Sequence, residues 1–201
     1  MSTPVFTPAS PAPVPPYIAG RYYPTGIGAT QGGLAVATDI VRLYAFTVRA
    51  PITISTLLAR VTTVGLGSFQ LAIYANNLAT GRPTGAVLAR TDGMLTTALA
   101  AVEADITGAD VTLYPGVYWG ATNVDATSGT AVFQSLNSNN AESTALFGAL
   151  TPTTATGSAT TCLVTLTTPM AYNTWNTMTG ATFTEVAGGN TGAAHIWLKA
   201  A

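Results

Sequence analysis

Apolar and polar residues alternate along several short stretches of this chain. In the clearest stretch, Phe69, Leu71 and Ile73 fall on one face of an extended backbone. Gln70 and Ala72, which lie between them, fall on the other face. A period of two residues is typical of a β-strand, and short strands at a spacing of roughly 8–12 residues predict an all-β fold.

Residues 67–90 predict a β-hairpin built around this strand. The first strand breaks at Asn76, where a polar loop begins. Gly81, Pro83 and Gly85 are residue types that shape loops, and an apolar run follows them. We therefore expect a strand, a shaped loop and a return strand.

Other parts of the chain show the same signature. Within one of them the phase of the alternation shifts between Ile54 and Leu57, which predicts a β-bulge. Pro115 and Gly116 are a turn or strand-entry signal inside another, where Leu113 and Trp119 are assigned to one face. The further strands are predicted at residues 41–49, 52–63, 102–107, 111–123, 130–136, 162–167, 182–186 and 195–199.

The segment before Val102 is open to two interpretations. Leu95, Leu99 and Val102 have helical spacing in an alanine-rich context. Alternatively, a loop or helical turn leads into a strand that points Val102 inward and Glu103 and Asp105 outward. We favour the loop or turn followed by the strand.

These elements predict an antiparallel, jelly-roll-like β-sandwich for residues 21–201, preceded by an extended arm at residues 1–20. The arm contains half of the chain's 12 prolines, which exclude helix and central strand. Apolar residues are threaded through it, which is not typical of a flexible linker. A disordered terminal tail is the alternative, but we expect the arm to anchor on a neighbouring protein. The anchoring residues are predicted to be Pro4, Phe6, Pro11, Pro13, Pro15, Pro16 and Tyr17.

Charge is scarce, since charged residues make up 7% of the chain against about 25% in ordinary domains. A surface of neutral hydroxyls and amides loses little when it is buried, which favours a homo-oligomer. The net charge is −1 and the arginines are scattered, so we expect no nucleic-acid partner. No apolar run reaches about 18 residues, so we expect no membrane insertion either.

Candidate catalytic groups are few. Cys162 is the only cysteine and falls in an apolar strand, and His195 is the only histidine, so neither a cysteine hydrolase nor a zinc site is supported. Glu103 and Asp105 suggest an acid pair or calcium ligands, but an exposed strand face explains them as well. We expect no cofactor, no metal and no enzymatic activity.

Aromatic and amide side chains occur together near the C-terminus, a combination that holds sugar rings by stacking and hydrogen bonding. Trp175 is equally compatible with a place in the core or in a subunit contact, because tryptophan is highly buried on average. The predicted glycan or subunit contacts are Tyr172, Asn173, Trp175 and Asn176, with Asn139 and Asn140 in a second loop.

Four sequence motifs between residues 21 and 123 carry a family resemblance. They are Tyr44/Phe46, then Leu71/Ile73/Tyr74, then Gly81/Pro83/Gly85, and finally Leu113/Pro115/Gly116/Tyr118/Trp119. This pattern resembles the β-sandwich domain that recurs in bacteriophage and prophage fibre, spike and other virion appendage proteins. The resemblance implies a virion structural role beside other capsid, tail or fibre proteins, often as a trimer. A carbohydrate-binding module for host attachment is the alternative that it leaves open.

Overall fold

The computed structural model describes residues 16–25, 33–35, 39–125, 131–136, 163–185 and 193–201. Within these ranges the regular secondary structure consists of β-strands, arranged as one eight-stranded and one seven-stranded antiparallel sheet. The predicted all-β class is therefore confirmed, and two sheets around a shared core are consistent with a β-sandwich.

Most of the described strands are short, but four of them have nine residues or more. In chain order they are β1 (Tyr22–Pro24), β2 (Gly33–Ala35), β3 (Arg42–Val48), β4 (Ile52–Thr63), β5 (Ser68–Asn77), β6 (Arg82–Arg90), β7 (Met94–Leu95), β8 (Ala101–Asp105), β9 (Val111–Leu113), β10 (Gly116–Val124), β11 (Val132–Leu136), β12 (Leu163–Leu166), β13 (Phe183–Glu185), β14 (Ala193–Ala194) and β15 (Ile196–Ala200).

Each sheet has one main path of hydrogen-bonded neighbours. Sheet 1 follows the order β1-β15-β4-β11-β14, with β2 beside β11 and with β8 and β9 beside β4. Sheet 2 follows the order β13-β12-β3-β10-β5-β6, with β7 beside β5.

Strand β4 is the spine of sheet 1 and contains the predicted bulge. Its register with β15 pairs Thr56 with Lys199 but Ile54 with Ala200, so Ser55 is the extra residue. The bulge keeps both Ile54 and Leu57 buried although their spacing is odd. The predicted shift in phase is confirmed.

Sheet 2 is buried on both faces. On β5, Phe69, Leu71 and Ile73 face the core between the sheets, whereas Ala72 and Tyr74 face outward, and all five are fully buried. An outward-facing residue is buried only if something covers it. A third layer must therefore lie on the outer face of sheet 2.

Residues 167–182, which we name the strap, form that layer between β12 and β13. The strap contributes Met170 and Met178, both buried, and the partly buried Trp175. These side chains pack with Tyr74 and Trp119 in a second apolar cluster, separate from the core between the sheets.

The predicted hairpin forms, but its loop is shorter than expected. Strand β5 continues to Asn77, and β6 begins at Arg82. Pro83 pairs with Asn76 and is therefore in the return strand, not in the loop. The Asn77 side-chain oxygen accepts a hydrogen bond from the backbone N–H of Ala79 in the loop. Gly81 has a left-handed φ of 63°, which closes the loop.

The predicted single strand at residues 111–123 is in fact two strands in different sheets. Pro115 and Gly116 separate β9, which pairs with β4, from β10, which pairs with β3 and β5. Leu113 consequently packs in the core between the sheets, whereas Trp119 packs under the strap. Their assignment to one face was wrong, because a turn resets the alternation.

The loop-then-strand interpretation before Val102 is confirmed, and the helical one is wrong. Strand β8 leaves Glu103 and Asp105 exposed and turns Val102 toward the core. Leu95 and Leu99 are exposed, at 61% and 69% of their surface. Their spacing does not reflect a buried helical face.

A buried hydroxyl pair links the two sheets. The Tyr44 hydroxyl, from sheet 2, accepts a hydrogen bond from the Ile196 N–H of sheet 1 at 3.0 Å and donates to Thr25. Thr25 in turn donates to the Ile196 carbonyl at 2.6 Å. Burial raises the pKa of Tyr44. The Tyr44 ring fits because Gly120 faces it, where a Cβ would lie 3.1 Å from the ring.

We predict that Tyr44→Phe destabilises the protein by about 1–3 kcal/mol, because Thr25 and the Ile196 N–H lose a buried partner. Chemical denaturation followed by tryptophan fluorescence measures the change in unfolding free energy.

Tyr118→Phe is the matched control. Among the described residues, the Tyr118 hydroxyl bonds to the backbone N–H and carbonyl of Tyr114, which is exposed, so water can replace it. We expect a loss of no more than about 1 kcal/mol. Equal losses in the two variants would contradict a special role for the link between the sheets.

Candidate functional site

The strap brings together four of the predicted contact residues. Tyr172 and Trp175 are partly buried, and Asn173 and Asn176 are exposed. The other two predicted residues, Asn139 and Asn140, lie outside the described residues. These polar and aromatic groups either hold the strap on sheet 2 or remain exposed to solvent.

Asn173 is tied to the sheet through a reciprocal amide pair. Gln70, buried on β5, donates to the Asn173 side-chain oxygen at 2.7 Å and accepts from the Asn173 N–H at 3.1 Å. Gln70 also donates to the carbonyl of Thr91. Asn173 has a φ of 65°, a conformation that asparagine tolerates better than most residues. The side-chain oxygen of Asn173, a predicted contact residue, is thus used to hold the strap on the sheet.

Trp175 packs inward against Tyr74, with ring centroids 6.3 Å apart. The Tyr74 hydroxyl donates to the backbone carbonyl of Asn176 at 3.1 Å, and burial raises the Tyr74 pKa. This bond uses the backbone of Asn176, so its exposed side-chain amide is not needed to hold the strap. Trp175 serves as an anchor in the second cluster.

Tyr172 reaches across to the end of the sheet. Burial raises the pKa of Tyr172, and the nearby Asp125 and Asp92 carboxylates act in the same direction. A Cβ atom on Gly93 would lie only 2.4 Å from the Tyr172 hydroxyl oxygen. Any side chain at Gly93 would displace Tyr172.

The ends of the strap are held by backbone contacts. Buried Asn123 donates to the carbonyls of Met170 and Ala171, at 3.1 and 3.4 Å. At the other end the Met178 N–H donates to the carbonyl of Gly85 at 2.8 Å. The strap is therefore fixed along its length, and Asn176 is a predicted residue whose side chain is exposed on it.

The base of the predicted arm is also fixed to the sandwich. Pro16 is exposed, and the Tyr17 ring packs edge-on against Tyr23, with centroids 4.6 Å apart. The Gly20 N–H donates to the carbonyl of Ala200 at 2.8 Å. The other predicted anchoring residues, Pro4, Phe6, Pro11, Pro13 and Pro15, lie outside the described residues.

The outer face of sheet 1 carries a polar cluster around the chain's single lysine. The Tyr22 hydroxyl donates to the Glu103 carboxylate, and Lys199 Nζ lies 5.2 Å from the centre of the Tyr22 ring. The contact with the Tyr22 hydroxyl and the Glu103 charge raise the pKa of Lys199. Asp105 accepts from the Thr56 hydroxyl at 3.0 Å. Glu103 thus bonds to β1 and Asp105 to β4, rather than to each other.

The remaining candidate chemistry is not gathered into a site. His195 is buried next to Trp197, with ring centroids 5.2 Å apart, and Cys162 lies outside the described residues. Within the described ranges no three His, Cys, Asp or Glu side chains are grouped in a way that could hold a metal ion. Among the described residues there is no helix that is long and apolar enough to cross a membrane.

Sequence reasoning missed an apolar surface at one end of the sandwich, which we name the end patch. Val64, Leu66, Leu95 and Leu99 form it, with 45%, 75%, 61% and 69% of their surface exposed. Hydrogen bonds from Gly65 to Thr96 and from Thr96 to Gly67 hold its two segments side by side. Residues 61–68 and 94–102 contain no charged side chain, and this absence of charge was the sequence signal that could have indicated the patch.

Comparison of the chain with protein-family models, with curated proteins and with solved structures finds no match.

We predict that Gln70→Met loosens the strap, because the thioether cannot replace the three hydrogen bonds of the amide. The expected cost is about 1–3 kcal/mol of unfolding free energy. Amide hydrogen exchange at residues 171–176 should become faster, measured by mass spectrometry.

Asn176→Ala is the control, since it changes an exposed strap side chain and leaves the Tyr74 bond to the backbone in place. Its exchange rates should match those of the wild type. Unchanged exchange in Gln70→Met would mean that the apolar anchors alone hold the strap.

Proposed function

We propose that this protein is a non-enzymatic structural subunit of a bacteriophage virion, in a fibre, a spike or a capsid or tail decoration. It is assembled in the host cytoplasm and anchored to neighbouring virion proteins through its N-terminal arm. The sandwich is a jelly-roll-like module, and a homo-oligomer, with a trimer favoured, is the expected state. The sequence resemblance to appendage domains supports the virion setting.

The observation that carries this proposal is the firm attachment of the arm to a sheet edge. Tyr17 packs on Tyr23, the Ile18 N–H donates to the Tyr23 hydroxyl at 2.7 Å, and Gly20 bonds to Ala200. A stiff, proline-rich segment that leaves from a fixed point loses little entropy when it binds. Such an arm is suited to hold the sandwich on a partner.

Two further observations favour assembly over catalysis. The surface has few charges to desolvate, and the end patch exposes large aliphatic side chains. The carboxylates of Glu103 and Asp105 on the outer face of sheet 1 bond to hydroxyl groups of other strands. This chemistry is suited to contacts between proteins rather than to proton transfer.

We predict that deleting residues 2–15 leaves a folded sandwich that no longer incorporates into particles. Pro16 and the residues after it are retained, because Tyr17 and Gly20 contact the sheets. Circular dichroism reports the fold, and immunoblots of purified particles report incorporation.

A variant with residues 2–15 scrambled, keeping every proline in place, controls for length and stiffness. This variant should also fail to incorporate into particles if side chains such as Phe6 contact the neighbouring virion protein. Normal incorporation of the deletion variant would contradict an anchoring role for the arm.

A carbohydrate-binding role is the second candidate, supported by the exposed Asn176 side chain and the partly buried Tyr172 and Trp175 within the same strap. Aromatic faces and amides together suit a sugar ring.

If this role holds, a glycan array with purified protein gives a hit that Asn176→Ala weakens about 10-fold, the equivalent of one hydrogen bond. Arg49→Gln, an exposed change outside the strap, should leave binding intact. An array without hits would remove this candidate.

A further inference from the structure

The end patch has no cover within the described residues, although its four side chains are large and aliphatic. We propose that the N-terminal arm of the same chain folds back on the sandwich and docks on the end patch through Val5 and Phe6. This contact goes beyond the proposed virion role, since it concerns the free subunit. It can be tested on the isolated protein.

The base of the arm directs it toward the patch. The Arg21 N–H donates to the carbonyl of Ile18 at 3.2 Å, which closes a turn that reverses the chain. Tyr17, before the turn, lies beside Tyr23, after it. Strand β1 runs from the level of Ala200 toward that of Ile196, which pairs with Ala59 near the patch end of β4. Pro16 and Tyr17 therefore approach the turn from the patch end of the sheet, where Tyr17 lies beside Tyr23.

The arm is long enough. Tyr23 pairs with Leu198, which pairs with Leu57, and the patch begins at Val64, about 23 Å further along β4 at roughly 3.3 Å per residue. Two strand spacings add about 10 Å sideways. Phe6 precedes Tyr17 by eleven residues, which span about 34 Å in polyproline conformation. Phe6 can therefore reach the patch.

The chemistry of the two surfaces matches. Residues 1–20 contain no charged side chain, and neither do residues 61–68 and 94–102, so docking desolvates no ion. Proline-rich segments bind apolar surfaces at low entropic cost because their conformation is preset. Phe6 is the largest apolar side chain of residues 1–15 and supplies the most buried area.

The arm of the same chain is favoured over that of a second copy by effective concentration. A short tether holds its end near the surface at millimolar effective concentration. A second copy at micromolar concentration competes poorly unless its arm cannot reach its own patch. The arm can reach, so contact within one chain is the expected state of the dilute protein.

Cysteine cross-linking tests the contact in the full-length chain. Cys162→Ser removes the native thiol, and Phe6→Cys with Leu95→Cys places one thiol on the arm and one on the patch. We expect mild oxidation of the dilute protein to give a disulfide within a monomer, identified by peptide mass spectrometry. The control pair, Phe6→Cys with Tyr114→Cys, uses an exposed residue near the opposite end of β4 and should not cross-link.

The cross-linking outcomes separate the alternatives. Disulfide-linked dimers from the Leu95 pair at low protein concentration would overturn the proposal in favour of a second copy. Equal cross-linking of both pairs, or none, would overturn it in favour of an arm without a fixed contact.

Removal of the arm gives an independent readout. Deleting residues 2–15 should raise the fluorescence of a bound hydrophobic dye several-fold and increase self-association, because the patch becomes uncovered. Leu66→Ser, Leu95→Ser and Leu99→Ser together should abolish both increases, and these positions are exposed, so folding is retained. Unchanged fluorescence, or dissociation of an oligomer on deletion, would overturn the proposal. Particle incorporation is a separate measurement, so a failed virion role and a failed docking contact remain distinguishable.

Discussion

Burial of sheet 2 on both faces is the constraint on which the rest of the structure depends. A strand such as β5 that is apolar on both sides must be covered twice. Sheet 1 covers one side and contributes the core between the sheets, and the strap covers the other. Because the strap has no regular structure, polar side chains of the sheet must bond its backbone, which Asn123 and Tyr74 do.

The same requirement explains why polar residues are found in the interior. Gln70, Thr91 and Asn123 are buried on sheet 2 or next to it, and each bonds a backbone group. Between the sheets, Tyr44 and Thr25 do the same for Ile196. A buried amide or hydroxyl with a fixed partner selects one arrangement of layers over others, because a shifted layer would leave it unsatisfied.

Much of the fold was predictable from local pattern, and the third layer was not. The alternation at Phe69 and Leu71 and the bulge between Ile54 and Leu57 are signals within single strands, and both were confirmed. The strap has a loop composition, and its partners are far away in sequence, so no local signal showed that Trp175 packs on Tyr74. The turn at Pro115 had an evident signal, but nothing in the sequence showed that the strands on its two sides belong to different sheets. The end patch was hidden because the spacing of Leu95 and Leu99 imitates a helical face.

The strap also sets an order in time. Asn173 follows its partner Gln70 by 103 residues, so β5 leaves the ribosome long before its outer cover exists. At about 5–20 residues per second this interval is roughly 5–20 s. During it the nascent chain presents Tyr74, and later Trp119, on an uncovered β-face, where pairing with other nascent chains competes with folding. Because its cover comes so late in the chain, we expect synthesis of this protein to draw on chaperones.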